Sequence, residues 1–500
     1  MKYLKLLTVI SAIALCACSQ KDDLKPQEPV LPQITVSELR TTEAGKTYLQ
    51  VDGKPFPLIG AQIRLDALLN CDGKSLAAVE PYFQKAVELG VNCVQVPISW
   101  KMVEPRQNEY DWSIVDAVLA YCNEYGLKME LLWFSTNMIG DAFTYLLPQY
   151  ILSEPSVRLR CDNDGAFHSY YGYIHALRLD ADWLLDHETR VVTALFNHIR
   201  YWDSNHGENH PVITCQVHNE PDGFLRWRYR DYHFKSWDGS ELTPQNVWDM
   251  VLNSLDAVGK AVKNSSYKVL TRTNHIKDDD GGDLLQWSDV ASVKDVFALD
   301  GIDFVGIDAY KQEVSELRAD VEAYASIPGN YPLVAENTGS YQNSASLILT
   351  AFAAGGGYDI YDLATSEYFV TNATDSSVDQ GVYTTGLEDR EGITEPARRI
   401  IHGLKGAAED VALSSPENFA AFNIGQDTPQ ISITEEVKTT TASSLTVRFS
   451  TSAGALGFLL DRGSYIVAYA TEDATFVVSK PDGTSETITV TGGELETRDL

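Results

Sequence analysis

Two glutamates follow apolar segments in an arrangement that could support acid–base and nucleophilic chemistry on one bond. Segment 212–217 runs into the tetrapeptide His-Asn-Glu-Pro, whose acid is Glu220, and segment 331–335 runs into Glu336. The first segment is apolar and largely β-branched, which predicts a buried strand, and the proline after Glu220 ends it. Each carboxyl group is therefore expected at the end of a strand, one placed to exchange a proton and the other to attack.

The chain between residues 58 and 404 alternates short apolar segments with segments of helical spacing. The strands are predicted at 58–63, 91–96, 127–134, 212–220, 268–273, 302–310, 331–338 and 358–362. The helices are predicted at 76–89, 114–125, 183–202, 247–262, 314–325, 344–354 and 396–404. This alternation predicts a (β/α)8 barrel. A doubly wound sheet is the alternative, but it usually carries a Gly-rich first turn, which is missing here.

In a (β/α)8 barrel, functional residues lie at the C-terminal ends of the strands. Counting strands places Glu220 at the end of the fourth and Glu336 at the end of the seventh, across the mouth from each other. The long segments 135–182 and 274–301 follow the third and fifth strands. Both are therefore expected on the same face as the two acids.

Two further segments carry a family resemblance. Segment 97–105 (Pro-Ile-Ser-Trp-Lys-Met-Val-Glu-Pro) resembles the strand-two region of glycoside hydrolase families 35, 42 and 5. Segment 131–134 (Leu-Leu-Trp-Phe) resembles the strand-three region of families 35 and 42. With Glu220 and Glu336 at their strand ends, the chain is similar to clan A of the retaining glycoside hydrolases over roughly its whole predicted barrel.

The resemblance implies a role for each acid. Glu220 would be the acid/base, which must hold a proton, and Glu336 the nucleophile, which must attack as an anion. In retaining enzymes the two carboxyl groups stand about 5–5.5 Å apart. The alternative is that Glu220 caps a loop and Glu336 belongs to a buried ion pair.

Eight residues are candidates for contacts with a sugar. They are Asn219, His218, Tyr310, Trp100, Trp133, Arg64, Asn137 and Tyr361. The resemblance implies that Asn219 binds the 2-hydroxyl and that Tyr310 lies against the nucleophile. His218 could equally be a structural hydrogen-bonding residue, and the two tryptophans could stack on a sugar or only line the top of the barrel. Ordinary structural roles are the alternatives for Arg64, Asn137 and Tyr361.

Composition excludes one class of partner. The net charge is −31 and the pI is about 4.6, whereas nucleic-acid binding requires clustered Lys and Arg. No Cys spacing is typical of a zinc site, and the acidic segment 278–283 lacks the alternating ligands and distal Glu of a calcium loop. We therefore expect a carbohydrate substrate and neither metal nor organic cofactor.

The N-terminus is predicted to be a targeting segment. Lys2 and Lys5 precede an apolar run, and segment 15–18 (Leu-Cys-Ala-Cys) resembles a bacterial lipobox that would make Cys18 the lipidated residue. The following segment 19–23 is similar to the export tag of Bacteroidetes surface lipoproteins. The expected location is the outer membrane, on the cell surface or its periplasmic face, through a lipid anchor such as palmitate. A plain secretory signal is the alternative.

Four regions are predicted along the chain: a signal peptide at 1–18, a tether at 19–45, the barrel at 46–408 and a C-terminal β-sandwich at 409–500. An Asp-Gly turn at 52–53 predicts a hairpin that covers the bottom of the barrel. Short alternating segments rich in Thr, Ser and Val predict the sandwich. Cys93, Cys122 and Cys215 are predicted to be core thiols, whereas Cys71 and Cys161 could pair.

The sequence thus predicts a retaining β-glycosidase, similar to β-galactosidases, β-glucosidases or β-glucanases, that acts on oligo- or polysaccharide. Two other functions are compatible with the pattern. A glycan-binding lipoprotein on a degenerate barrel is one, although a binder has no need of two opposed acids. A purely structural lipoprotein is the other. The oligomeric state is left open.

Overall fold

The computed structural model describes the chain in eleven segments. They are residues 28–139, 142–160, 166–169, 172–225, 235–236, 238–276, 284–372, 379–423, 433–438, 444–452 and 454–500. The predicted signal peptide, Cys18, Cys161 and the acidic segment 278–283 lie outside the described residues.

Eight parallel strands form a closed barrel. In chain order they are β1 (Ile59–Gln62), β2 (Cys93–Ser99), β3 (Lys128–Met138), β4 (Val212–Asn219), β5 (Leu270–Ile276), β6 (Phe304–Asp308), β7 (Leu333–Thr338) and β8 (Gly357–Tyr361). Each strand pairs in parallel with the next, and β8 pairs with β1 to close the barrel. The strands are almost continuously buried, as is typical of parallel strands covered on both faces.

A helix follows every strand of the barrel. The helices are α1 (Leu76–Leu89), α2 (Ser113–Tyr125), α3 (Asp182–Asn205), α4 (Pro244–Asn264), α5 (Val293–Phe297), α6 (Val314–Ala325), α7 (Ser344–Ala353) and α8 (Thr394–Gly406). Both α1 and α2 end at a glycine in the left-handed region, Gly90 at φ 98° and Gly126 at φ 65°, which only glycine adopts cheaply. The predicted (β/α)8 barrel is confirmed.

The interior of the barrel carries charge as well as apolar packing. Arg272 on β5, Glu130 on β3 and Asp359 on β8 are fully buried there. Gly60 on β1 makes room for one of them, because a Cβ at that position would lie 1.6 Å from Asp359 Oδ1. A side chain at residue 60 and an acid at residue 359 are therefore mutually exclusive.

The bottom of the barrel is covered by the N-terminal segment. A three-stranded antiparallel sheet is formed by Ser37–Thr41, Thr47–Val51 and Lys54–Pro55. Ser37 Oγ donates to the carbonyl of Ile213 at 2.5 Å and accepts from the amide of Leu270 at 2.9 Å. These partners lie at the starts of β4 and β5, which confirms that the predicted hairpin lies at the bottom. Before it, Ile34–Thr35 pairs in parallel with Tyr267–Lys268.

Several short elements connect the larger ones. The helices are Leu65–Asn70, Trp100–Val103, Gln149–Leu152, Glu367–Asn372 and Ala408–Leu413, with 3-10 turns at Pro155–Val157 and Pro416–Asn418. A small antiparallel sheet orders Ala142–Phe143, Gly172–His175 and Ala166–Ser169. It lies between β3 and α3, within one of the two long segments predicted for the active face.

The C-terminal region consists of two four-stranded antiparallel sheets. One orders Phe419–Asn423, Leu456–Asp461, Tyr465–Ala470 and Leu495–Asp499; the other orders Ile433–Lys438, Thr446–Thr451, Ala474–Ser479 and Ser485–Val490. Phe422 of the first stacks on Phe449 of the second, with ring centroids 4.8 Å apart. The two sheets enclose their own apolar core, so the predicted all-β sandwich is confirmed.

The first sheet of the sandwich also packs on the barrel. Tyr469 donates its hydroxyl to the carbonyl of Arg399 on α8 at 2.6 Å. Its ring lies so close to Gly403 that a Cβ there would be 2.4 Å away. Sandwich and barrel thus share a packed junction at α8.

Three of the free cysteines are the predicted core thiols. Cys93, Cys122 and Cys215 are fully buried free thiols, as expected. Cys71 is a half-buried free thiol; its predicted partner lies outside the described residues. In the described part of the chain, no helix combines the length and apolar character needed to cross a membrane.

Candidate active site

Glu220 and Glu336 meet at the C-terminal mouth of the barrel. Glu336 is the fourth residue of β7, and Glu220 directly follows β4 with a φ of 46°. The amide of Glu220 donates to Asn274 Oδ1 at 2.8 Å, which fixes this left-handed turn. Both acids are about 95% buried. One carboxyl oxygen of each, with one of Asp308, lies within 4.8 Å of the others.

Glu336 is held by two donors. Tyr310 donates its hydroxyl to Oε2, and Gln62 Nε2 donates to Oε1 at 3.3 Å. Burial raises the pKa of Glu336, whereas these hydrogen bonds and the charges of Arg64 and Arg272 limit the rise by favouring the anion. The surroundings of Glu336 therefore suit a carboxyl group that reacts as an anion.

Glu220 has surroundings that favour the protonated form. Burial raises its pKa well above the usual range, and the nearby carboxyl groups of Glu336 and Asp222 raise it further. One donor is Asn219, whose Nδ2 donates to Oε2 at 3.1 Å. Burial raises the pKa of both acids, but Glu336 accepts from Tyr310 and Gln62, whereas Glu220 faces the carboxyl groups of Glu336 and Asp222. We therefore assign the proton of the pair to Glu220. Two carboxyl groups with separated pKa values are the pattern of an acid and a nucleophile.

A chain of hydrogen bonds through the barrel interior connects the two acids. From Glu336 it passes through Gln62, Gln95, Glu130, Arg272, Gln216 and Asn219 to Glu220. Its centre is the fully buried ion pair in which Arg272 Nε donates to Glu130 Oε2 at 2.8 Å. Because of Arg272, the pKa of Glu130 is lowered despite its burial. The interior therefore supplies one cation beneath the acidic mouth.

Arg64 and Tyr361, two of the candidates for sugar contacts, lie on the Glu336 side of the mouth. Arg64 donates to Tyr361 Oη at 3.0 Å and binds both oxygens of Asp66 at 2.9 Å. The ring of Tyr361 stands edge-on to that of Tyr310, at 5.9 Å between centroids. Arg64 is 7% exposed, and its charge is already paired with Asp66. It belongs to the wall of the site; its contact with a sugar stays a prediction.

The two tryptophans do not line the open cleft. Trp100 and Trp133 are fully buried. Their indole nitrogens donate to the buried acids Glu104 and Glu188, each at 2.9 Å. Neither ring is exposed to a sugar in this structure, which supports the alternative that both tryptophans only line the top of the barrel. The strand-three motif predicts a buried Trp equally well, which is why the sequence could not separate the two roles.

Two further candidates are fully buried. His218 donates to or accepts from Ser254 of α4 through Nε2 at 2.9 Å, so its ring points out of the barrel and not into the mouth. Burial lowers its pKa to about 3. The structural alternative is thus correct for His218, and the sugar-binding alternative is wrong. Asn137 lies within β3, which extends to Met138; its contact with substrate stays a prediction.

Two residues of the site were missed by the sequence analysis. Asn274 Nδ2 donates to Asn219 Oδ1 at 3.0 Å and to Asp308 Oδ2 at 2.8 Å. It was missed because β5 ends at Ile276, beyond the predicted end at 273. Asp308 precedes Tyr310 by two residues, and the period of two in a strand could have placed both on one face.

The three carboxyl groups could also coordinate a divalent cation, since Glu220, Asp308 and Glu336 each offer one oxygen. Neutral donors already serve two of them: Tyr310 and Gln62 bind Glu336, and Asn219 binds Glu220. This donor set stabilises the acids without a metal. The expectation of no metal stays a prediction.

Three family models match parts of the chain. A model described as β-galactosidase, of glycoside hydrolase family 42, matches residues 74–246. Two models described as domains of unknown function, DUF4978 and DUF4969, match residues 250–429 and 3–67. The β-galactosidase match covers helix α1 to the start of α4 and contains Glu220.

One characterised protein and several solved structures are similar to the chain. A β-galactosidase of Xanthomonas manihotis is 25% identical over 177 residues, which are 34% of this chain and 24% of that protein. This chain therefore spans about a quarter of that relative's length. A β-galactosidase from the haloarchaeon Halorubrum lacusprofundi has a TM-score of 0.50 at 12% identity, with 69% of this chain and 58% of that one covered.

A β-galactosidase of Rahnella sp. R3 gives a TM-score of 0.50 at 15% identity, with 72% of this chain and 57% of that one covered. Identities this low show a shared fold alone. The predicted resemblance to the clan A type of barrel is confirmed by these structures together with the family match.

Proposed function

We propose that this chain, a clan A glycoside hydrolase by its barrel and its family match, cleaves β-glycosidic bonds of oligo- or polysaccharide with retention of configuration. The observation that carries the proposal is the buried pair of Glu220 and Glu336, with oxygens no more than 4.8 Å apart. Nearby carboxyl groups raise the pKa of Glu220, whereas hydrogen-bond donors limit the rise at Glu336. Retaining enzymes require this close spacing, whereas inverting enzymes leave room for a water molecule.

The mechanism has two steps. In the first, a Glu336 oxygen attacks the anomeric carbon while Glu220 gives its proton to the departing oxygen, which takes the electron pair of the broken bond. In the second, water attacks the same carbon, gives its proton to Glu220 and releases Glu336 as an anion. Tyr310 and Gln62 would hold the attacking carboxylate in line, and Asn219 would hold Glu220.

We propose β-galactosides as the first substrates to test, because the matched model and the Xanthomonas relative are both described as β-galactosidase. Trp100 and Trp133 are buried, so neither of these two candidate residues presents a ring that could select among β-glycosides. Aryl β-glucosides and β-mannosides therefore belong in the same screen.

The decisive experiment follows the configuration of the first product by proton NMR. Retention gives the β-anomer first, and inversion gives the α-anomer. Glu336→Ala should lose about 10⁴-fold or more in kcat on every substrate that the wild type cleaves. Glu220→Ala should lose about 10²–10⁴-fold on substrates with poor leaving groups and far less on activated aryl glycosides, whose leaving groups need no proton.

A matched control is available on the same face of the barrel. Glu367 is 65% exposed in its side chain and pairs only loosely with Lys74 at 3.7 Å, so Glu367→Ala should keep wild-type turnover. An α-configured first product, or normal turnover by Glu336→Ala, would overturn the mechanism. Glycan binding without hydrolysis after long incubation would instead favour the non-catalytic binding protein.

We also propose that Cys18 carries a lipid that anchors the protein to the outer membrane. The support is the lipobox-like segment 15–18. Expression with a radiolabelled fatty acid should label the wild type and leave Cys18→Ser unlabelled. Equal labelling of both proteins, or label in neither, would contradict the anchor.

A further inference from the structure

A third acid shares the mouth of the barrel with the two glutamates. Asp308, the last residue of β6, is fully buried, and its Cα is paired in register with that of Glu336 on β7. Its Oδ2 accepts a hydrogen bond from Asn274 Nδ2 at 2.8 Å. Its Oδ1 is buried and receives no bond from a nitrogen or hydroxyl donor among the described residues. An ionised Asp308 would thus leave an acceptor oxygen unsatisfied, which is costly in a buried site.

The neighbouring acid Glu220 makes the ionised form of Asp308 still less favourable. One carboxyl oxygen of Asp308 lies within 4.8 Å of one of Glu220, so a hydrogen bond can join the two carboxyl groups. Two ionised carboxylates offer acceptors only, so this bond requires a proton on one of them. We assign this proton to Asp308, because its buried Oδ1 has no donor among the described residues, whereas Glu220 already accepts from Asn219.

The charges that face Asp308 come from every element packed against it. Glu220 approaches from the end of β4 and Glu336 from β7, whereas the cation Arg272 on β5 opposes their effect. Two neutral phenols, Tyr310 after β6 and Tyr324 on α6, also feel its charge. Because Arg272 is already paired with Glu130, it cannot balance three anions at the mouth.

We propose that Asp308 is a positioning residue that stays un-ionised at working pH and donates a hydrogen bond to the carboxylate of Glu220. Its function is to stabilise Glu220 in the form that has given up its proton. This inference rests on the proposed function for its catalytic meaning, but not for the protonation of Asp308 itself.

The proton balance of the reaction is unchanged by this role. Glu220 passes its own proton to the departing oxygen in the first step and regains one from water in the second. Asp308 keeps its proton throughout, and its O–H bond to Glu220 becomes charge-assisted, and so stronger, while Glu220 is an anion. A buried carboxylic acid kept neutral at pH 7 as a hydrogen-bond donor has precedent in enzyme active sites.

The first test reads protonation without any substrate. Infrared difference spectra of wild type against Asp308→Asn at pH 7 should show the loss of a C=O stretch of an un-ionised carboxylic acid. Asp300→Asn is the control, since the Asp300 side chain is 87% exposed and its replacement should remove carboxylate bands only. Loss of carboxylate bands alone in Asp308→Asn would overturn the inference.

The second test uses the pH dependence of kcat/KM. Asp308→Asn supplies an N–H donor and carries no charge, so kcat should stay within about threefold of the wild type. The basic limb of the pH profile should stay within about half a pH unit of the wild-type position. Asp308→Leu removes the donor, which should move the basic limb to higher pH by about one unit and lower kcat by about 10-fold or more.

The two variants separate this role from simple packing. A residue that only fills space would change kcat without moving the limb, and that outcome would overturn the inference. A basic limb that moves down by a unit in Asp308→Asn would also overturn it, because it would mean that an anionic Asp308 had been raising the pKa of Glu220.

The same experiments distinguish failure of the proposed function from failure of the inference about Asp308. If the wild type hydrolyses no glycoside, the infrared band still decides whether Asp308 is protonated. If the wild type is a retaining glycosidase and the band is absent, only the inference about Asp308 fails.

Discussion

Tyr310 and Glu336 are joined by a hydrogen bond from the phenol to Oε2 of the acid, across the ends of two neighbouring strands. Tyr310 takes a left-handed backbone conformation there, at φ 44°. Burial raises the pKa of Glu336, and this hydrogen bond is the largest influence that opposes the rise. The phenol therefore helps to keep Glu336 ionised at working pH.

Replacing Tyr310 should move the acid limb of the activity profile. Tyr310→Phe removes a donor to the anion, so the pKa of Glu336 should rise by about one unit. The acid limb of kcat/KM should then move to higher pH, with a loss of about 10-fold below the optimum. Tyr469→Phe is the control, since its hydroxyl bonds the carbonyl of Arg399 in the sandwich junction. An acid limb that is unchanged in Tyr310→Phe would refute the role.

Replacing one partner of the ion pair of Arg272 and Glu130 should destabilise the protein strongly. Replacing both partners should destabilise it much less. Both side chains are fully buried, so Arg272→Met leaves an uncompensated charge and should lower the free energy of unfolding by about 3–5 kcal/mol. Arg272→Met combined with Glu130→Met should recover most of that loss. Urea unfolding of the single and double variants measures both values.

An exposed pair provides the comparison for this prediction. Arg318 and Glu322 lie 3.4 Å apart on α6, with side chains about half exposed. Arg318→Met should change the free energy of unfolding by less than about 1 kcal/mol. If the double variant of Arg272 and Glu130 is no more stable than Arg272→Met alone, the loss of stability comes from packing and not from charge.

Asp362 should make stability fall as pH rises. Burial raises its pKa from 3.8 to about 7, so the folded protein holds this proton more tightly than the unfolded chain. Its contribution is fully present below about pH 4 and is lost as pH rises through 7. Relative to Asp362→Asn, the free energy of unfolding of the wild type should fall by about 4 kcal/mol at most over this window. Parallel stability curves for the two proteins would contradict the shift.

Removal of divalent cations should leave activity unchanged. Tyr310, Gln62 and Asn219 satisfy the two glutamates with neutral donors, so no cation is needed to balance the site. Turnover after dialysis against EDTA should equal that of the untreated enzyme. A loss that Mg²⁺, Ca²⁺ or Mn²⁺ restores would show that the three carboxyl groups hold a metal.

The fold could be predicted in detail because the ends of helices and the spacing of strands depend mainly on residues that are close in sequence. Helices α1 and α6 were predicted with the same limits as they have in the structure. Glycine at residue 90 ends α1 through its own backbone preference. The end of β5 was placed three residues early, because Asn274 and His275 look like loop residues although both are buried in the strand.

The site was only partly predictable, since burial and direction of a side chain depend on distant neighbours. Glu220, Glu336 and Tyr310 follow from strand order. The roles of Trp100 and Trp133 could not be predicted, because their hydrogen-bond acceptors Glu104 and Glu188 become neighbours only in the folded chain.

Polar residues inside a barrel are not marked by any motif. The series from Glu336 to Asn219 crosses six strands, and its hydrogen bonds join residues up to 274 positions apart. The spacing of Asp308 and Tyr310 could place Asp308 on the inner face of its strand, but its contact with Glu220 and Glu336 depends on the fold.

The chain enters the barrel from the face opposite its mouth. Ile34–Thr35 pairs beside the start of β5, whereas the acids lie at the strands' far ends. If Cys18 carries a lipid, as proposed above, a chain of the length of segment 19–33 could span at most about 50 Å. Such an anchor would join the barrel on the side away from the cleft, so a long polysaccharide could reach the acids without meeting the point of attachment.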